Sequence, residues 1–143
     1  MTETRLILDH VYEHEAAQPS RVFLTQPVGG GQVVDITWGQ ALDEARRMAA
    51  HLSARGITPG ARVAMLTKNC AHFLIAELAI WMAGGTTVAI FPTETADNLR
   101  YVLKHCEASV QLCLRSNELL AQFDQFALGL NQSQKVYLSG GVA

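Results

Sequence analysis

The sequence has no paired cysteine spacing, no glycine fingerprint for phosphates, no long apolar run and no excess of one charge, and each absence removes a class of function. The cysteines are Cys70, Cys106 and Cys113. An odd number without CxxC spacing excludes a disulfide framework and a structural zinc site, and leaves reduced thiols in or near the core. Gly29 to Gly31 and Gly84-Gly85 match neither GxGxxG after a strand nor GxxxxGK followed by Ser or Thr, so they read as loop and helix-stop residues. The most apolar stretch, Cys70 to Ala83, contains His72 and Glu77 and falls short of the roughly 20 residues a membrane span needs. It reads as a buried helix. The start, Met1-Thr2-Glu3-Thr4-Arg5, has no basic segment followed by an apolar one, so no secretory signal is read and the expected compartment is cytoplasmic. With 17% charged residues and a net charge of -2, no nucleic acid partner is expected.

What is present is the material of one domain. A chain of 143 residues with 49% hydrophobic content buries roughly 70% of the surface its unfolded form exposes, enough for a single core. We read residues 1–143 as one subdomain: a helix plus a β-hairpin over 1–38, then a helix followed by alternating strands and helices over 39–143.

The hydrophobic spacing supports this division. Leu6, Ile7, Val11 and Tyr12 fall near helical spacing before Pro19. Arg21 to Thr25 and Val33 to Thr37 are β-rich and flank Pro27-Val28-Gly29-Gly30-Gly31, which predicts a hairpin with a loose loop. Thr37 and Gln40 stand three apart as in a capping box. The helix they open puts Leu42, Ala45, Met48, Ala49 and Leu52 on one face, sets Asp43 four residues before Arg47 on the other, and closes at Gly56 and Pro59.

From there strands and helices alternate: Arg62–Leu66 strand, Cys70–Ala83 helix, Thr86–Phe91 strand, Ala96–Glu107 helix, Val110–Leu114 strand, Asn117–Ala127 helix, and Lys135–Leu138. Apolar strands separated by helices predict an α/β fold, a mainly parallel sheet with helices on both faces. The helix from Cys70 is apolar nearly all round, so Leu74, Leu78 and Trp81 are expected to be deeply buried.

The chemistry-bearing residues each have an ordinary reading. His10 and His14 have zinc-ligand spacing, but Val11 stands where HExxH needs its Glu, so they read as helix-surface histidines. Cys106 beside His105 is the only adjacent thiol and imidazole, and neighbours on a helix point apart. Glu77, the lone acid on an apolar helix, reads as a partnered or edge-exposed carboxylate. Asp43, Glu44, Arg46 and Arg47 read as a solvated helix face.

Taken in order, Thr37-Trp38-Gly39-Gln40-Ala41-Leu42, Ala45 to Leu52, and Gly56-Ile57-Thr58-Pro59-Gly60-Ala61-Arg62-Val63-Ala64 resemble the amino-terminal signature of adenylate-forming (AMP-binding) enzymes. Lys68-Asn69-Cys70-Ala71, Ile80 to Gly85, Phe91-Pro92-Thr93, Leu99 to Leu103 and Glu107-Ala108 extend it, and are similar to the bacterial long-chain fatty acyl-CoA ligases in particular. The family usually has an acid where Ala61 stands and a proline where Ala89 or Ile90 stands.

The resemblance implies the amino-terminal scaffold part of an ATP-dependent long-chain fatty acid-CoA ligase. In such an enzyme a carboxylate attacks the α-phosphate of ATP to give an acyl-adenylate, and the thiol of CoA then displaces AMP. ATP, Mg²⁺ and CoA are the cofactors of the full-length family enzyme; none is assigned to this chain. The Ser/Thr/Gly-rich loop ending in Lys, the later motifs around the nucleotide and the catalytic Lys of the carboxy-terminal domain have no match here. No catalytic, cofactor-binding or metal residue is therefore carried over, and the chain alone is expected to be inactive. Its expected partners are the rest of the synthetase and, where that is missing, a second copy covering the apolar surface left open. Fatty acid is a substrate only of the full enzyme. The competing readings are a stand-alone non-catalytic interaction module with this fold and a nucleotide-binding or flavodoxin-like domain. The missing glycine fingerprint counts against the latter.

Overall fold

The computed structural model describes residues 4–108 together with the strands at 110–114 and 135–138. Helix α1 (Ile7–Ala17) is followed by a hairpin of β1 (Val22–Gly29) and β2 (Gln32–Thr37). The hairpin loop is tighter than the sequence predicts, because β1 runs on through Pro27, whose partner is Val33. Gly30 and Gly31 alone lie between the strands. With Gly29 they take φ values of 95°, 60° and 74°, a left-handed run that only glycine adopts at low cost.

Helix α2 (Trp38–Ala54) opens on the predicted reciprocal cap. The Thr37 N–H donates to Gln40 Oε1 at 2.9 Å and the Gln40 N–H to Thr37 Oγ1 at 3.3 Å. Its apolar face, Leu42, Ala45, Met48, Ala49 and Leu52, is buried as read, and Arg47 pairs with Asp43 at 3.1 Å on the solvent side. After Gly56, at φ 90°, the chain enters β3 (Arg62–Leu66), α3 (Ala71–Met82), β4 (Thr86–Ile90), α4 (Ala96–Cys106), β5 (Val110–Leu114) and β6 (Lys135–Leu138). The predicted helix over Asn117–Ala127 lies outside the described residues.

The four strands form one parallel sheet in the order β4-β3-β5-β6. Alternation along β3 divides the core. Val63 and Met65 pack with α2, α3 and the hairpin, whereas Ala64 and Leu66 pack with Ile90 and Leu99 of α4 on the opposite face. The α/β class, the parallel sheet covered on both faces and the preceding helix and hairpin are as the sequence predicts.

Packing of α3 is the main correction. Ile75, Leu78, Ala79 and Ile80 are buried, but Leu74 is 41% exposed and Trp81 only partly buried. Leu74, Glu77 and Trp81 share one helical stripe by their three- and four-residue spacing. That stripe is the least buried of the helix, with Leu74 exposed and Trp81 still packed against the edge of the core, and Glu77 marks it.

Candidate functional site

In open α/β sheets, ligands bind beyond the carboxyl ends of the strands, where successive connections depart to opposite faces. Here β3 leads into α3 on one face, and α4 leads into β5 on the other. The turn that leaves β3, Thr67-Lys68-Asn69-Cys70, therefore stands at the switch point between β3 and its neighbour β5.

Local chemistry fixes that turn from both sides. Thr67 is buried and its hydroxyl donates to the Lys68 carbonyl at 3.1 Å. Cys70 occupies the N-cap position of α3 in extended conformation but makes no capping bond through its side chain. The missing acceptor comes from another element: Gln26 Oε1, on β1, accepts from the Ala71 N–H at 2.7 Å. Lys68 and Asn69 are exposed at the rim. Between hairpin and helix lies an open groove of about 460 Å³, walled mainly by Leu24, Pro27, Phe73 and Leu74, with Thr25, Gln26 and Asn69 as its polar residues.

The turn leaving β4 is built differently. The Glu94 N–H donates to the Phe91 carbonyl at 3.1 Å, Thr95 caps α4 through the Asn98 N–H at 3.3 Å, and Asn98 Nδ2 donates to Glu94 Oε2 at 3.0 Å. Phe91 is left 70% exposed at the strand end.

The groove at this edge sets the Asn69 carboxamide and the Cys70 thiol beside its apolar walls. The described residues do not form a triphosphate cradle. Gln26 takes the Ala71 N–H, the Thr67 hydroxyl is spent on the Lys68 carbonyl, and no glycine lies in the turn to let a phosphate approach the backbone. Among them, no group of three His, Cys, Asp or Glu could hold a metal ion.

The residues singled out in the sequence fall elsewhere. His14 stacks on Trp38 with ring centroids 5.2 Å apart, and its Nδ1 accepts from Gln18 Nε2 at 3.3 Å; His10 is exposed. The Cys106 thiol donates to the Leu103 carbonyl at 3.6 Å while His105 stacks on Tyr101, so thiol and imidazole do not meet. Burial pushes the Glu77 carboxyl above the usual carboxylate range, and among the described residues nothing pairs with it. The acidic and basic cluster on α2 is more than a solvated face. Arg46 pairs with Glu15 of α1, and Glu44 lies 3.5 Å from His72 of α3. Gln26 and the Lys68-Asn69 rim had no assigned role in the sequence. The rim was detectable within the polar run Thr67-Lys68-Asn69 that follows a strand apolar on both faces.

Residues 11–139 match the AMP-binding enzyme family, and the chain belongs to it. It is 32% identical over 122 residues to a linear gramicidin synthase of Brevibacillus parabrevis, covering 85% of this chain and 2% of that one. It is 33% identical over 100 residues to the long-chain-fatty-acid–CoA ligase FadD15 of Mycobacterium bovis, covering 70% of this chain and 16% of that one. The chain thus spans a small part of the length of these relatives. Among solved structures, the anthranilate CoA ligase AuaEII in complex with anthranoyl-AMP superposes with a TM-score of 0.80 at 20% identity, over 95% of this chain and 25% of that one. At that identity the likeness is one of fold. Among the described residues no helix is long and apolar enough to cross a membrane.

Proposed function

We propose that this chain is the amino-terminal scaffold part of an ATP-dependent, AMP-forming long-chain fatty acid–CoA ligase of the cytoplasm, inactive without the remainder of the enzyme. The observation that carries the reading is the family match over residues 11–139. The family match supports use of ATP and Mg²⁺ by the whole enzyme, and the fatty-acid ligase among the relatives supports the substrate class. In the whole enzyme the acid's carboxylate attacks the α-phosphate of ATP and the thiol of CoA displaces AMP. This chain's share is to hold the sheet on which that site is assembled, since positioning and charge neutralisation supply most of such catalysis.

ATP–pyrophosphate exchange with a panel of fatty acids and amino acids tests both parts of the proposal. The chain alone is expected to show none, and exchange above a heat-killed control overturns the inactive reading. A chimera carrying this chain in place of the aligned segment of the mycobacterial ligase is expected to retain exchange with fatty acids. The peptide synthetase relative supports a second reading, a part of an amino-acid-adenylating domain. Retention of exchange only in a chimera with such a domain favours that reading.

A further inference from the structure

Helix α4 presents a face that nothing among the described residues covers. Its one buried side chain is Leu99. Asp97, Asn98, Tyr101, Lys104 and His105 recur at three- and four-residue spacing and are all exposed. Tyr101 is 67% exposed and stacks flat on His105 with centroids 5.6 Å apart. Beside it a groove of about 260 Å³ runs to the 70% exposed ring of Phe91, floored by Ile90 and Val102.

Charge along this face runs from Asp97 in the first turn to Lys104 and His105 in the last, and Arg100 between them, 65% exposed, is neutralised by its pairing with Asp97. Asp97 holds Arg100 at 2.9 Å yet its side chain stays 91% exposed, so its carboxylate remains open to a second partner. A copy of the same helix laid antiparallel across Tyr101 brings each acidic first turn onto the other's basic last turn and opposes the two helix dipoles. A parallel alignment sets like charge on like.

The geometry points to a two-fold homodimer through α4, in which Tyr101 of each copy packs into the groove beside Phe91 and Asn98 of the other. A two-fold interface uses one patch twice, so the patch must be complementary to itself, and this one is. The occupant is a second copy because the charge order that fits it is its own, reversed.

Size exclusion with light scattering on the 143-residue chain tests the proposal. At micromolar concentration the expected mass is twice 15.6 kDa. Asp97→Lys and Lys104→Asp each set like charges opposite one another twice per dimer, and each alone should raise the dimer dissociation constant about tenfold. The variant carrying both substitutions restores the pairing and should return the constant to within about twofold of the starting chain. Tyr101→Lys should give a monomer with unchanged far-ultraviolet circular dichroism, because the ring contributes little to the fold of one copy. A monomer at every concentration overturns the proposal. So does a dimer indifferent to the charge variants, which would place association elsewhere, such as the edge of β4 that no described strand pairs with.

Discussion

Gln26 Oε1 accepts a hydrogen bond from the Ala71 N–H at 2.7 Å, so a residue in the hairpin caps a helix that begins 45 positions later. The bond ties the two elements that wall the groove at the switch point. Gln26→Ala should cost about 1 kcal/mol in urea unfolding, the usual worth of an N-cap bond. Gln26→Glu keeps an acceptor and adds a negative charge at a helix start, so it should lose less than Ala does. Equal loss from both variants would show that the side chain matters only for packing.

Two leucines on α3 separate buried from exposed packing. Leu78 is 6% exposed and Leu74 41%. Leu78→Ala should cost about 2 to 5 kcal/mol, as for a core residue whose site cannot collapse. Leu74→Ala should cost less than about 1 kcal/mol, since much of its surface already meets water. Chemical denaturation of both variants at one pH checks the contrast.

The turn between α3 and β4 depends on two glycines for different reasons. Gly84 sits at φ 81° against Pro59, and its carbonyl accepts from the Gly60 N–H at 2.8 Å. Gly84→Ala should cost about 1 to 2 kcal/mol through left-handed backbone strain. At Gly85 a Cβ would stand 3.0 Å from Ile80 Cγ2 and 3.3 Å from the Ala61 carbonyl oxygen. Gly85→Ala should cost about 1 to 3 kcal/mol by overpacking. Thermal unfolding of the two variants reads both losses.

Burial raises the Glu77 carboxyl pKa in the folded chain, so between the unfolded and folded values the native state holds the extra proton. Stability attributable to this group is therefore present at low pH and lost as pH rises through the raised folded value. Glu77→Gln should stabilise the chain at pH 7 by less than about 1 kcal/mol, because water screens a half-buried carboxyl. The advantage should vanish below about pH 4, where both side chains are neutral. A gain that persists unchanged at pH 4 would trace to packing rather than to charge.

The sequence carried the elements further than their contacts. The Thr37–Gln40 cap, the apolar stripe of α2 and the strand–helix alternation from Arg62 to Leu114 are local patterns, and all stand where the spacing puts them. The shorter hairpin loop was harder to read, because a proline ordinarily ends a strand, and Pro27 stays in β1 at a position whose register slips by one residue immediately after it. The exposure of Leu74 was legible in principle, since Glu77 three residues on labels the stripe. Reading α3 by its apolar content rather than by its one polar residue hid it. Gln26 as a cap could not be read locally, because the bond depends on how hairpin and helix meet. The sequence likewise showed that no nucleotide fingerprint was present, but not where the switch point would fall, which follows from strand order alone.

That order also sets a schedule. The central strand β3 has β4 on one side and β5 on the other, and both are made after it. The first flank emerges with Ile90 and the second with Leu114, 48 residues after Leu66. At the roughly 5 to 20 residues per second of synthesis, an apolar strand waits about 2 to 10 seconds with one or both of its backbone edges unpaired. Over that interval α1, the hairpin and α2, whose pairings are short in sequence, are already available to fold and shelter one of its faces. The helix and hairpin that precede the sheet are thus made before the strand whose face they cover has any neighbour of its own.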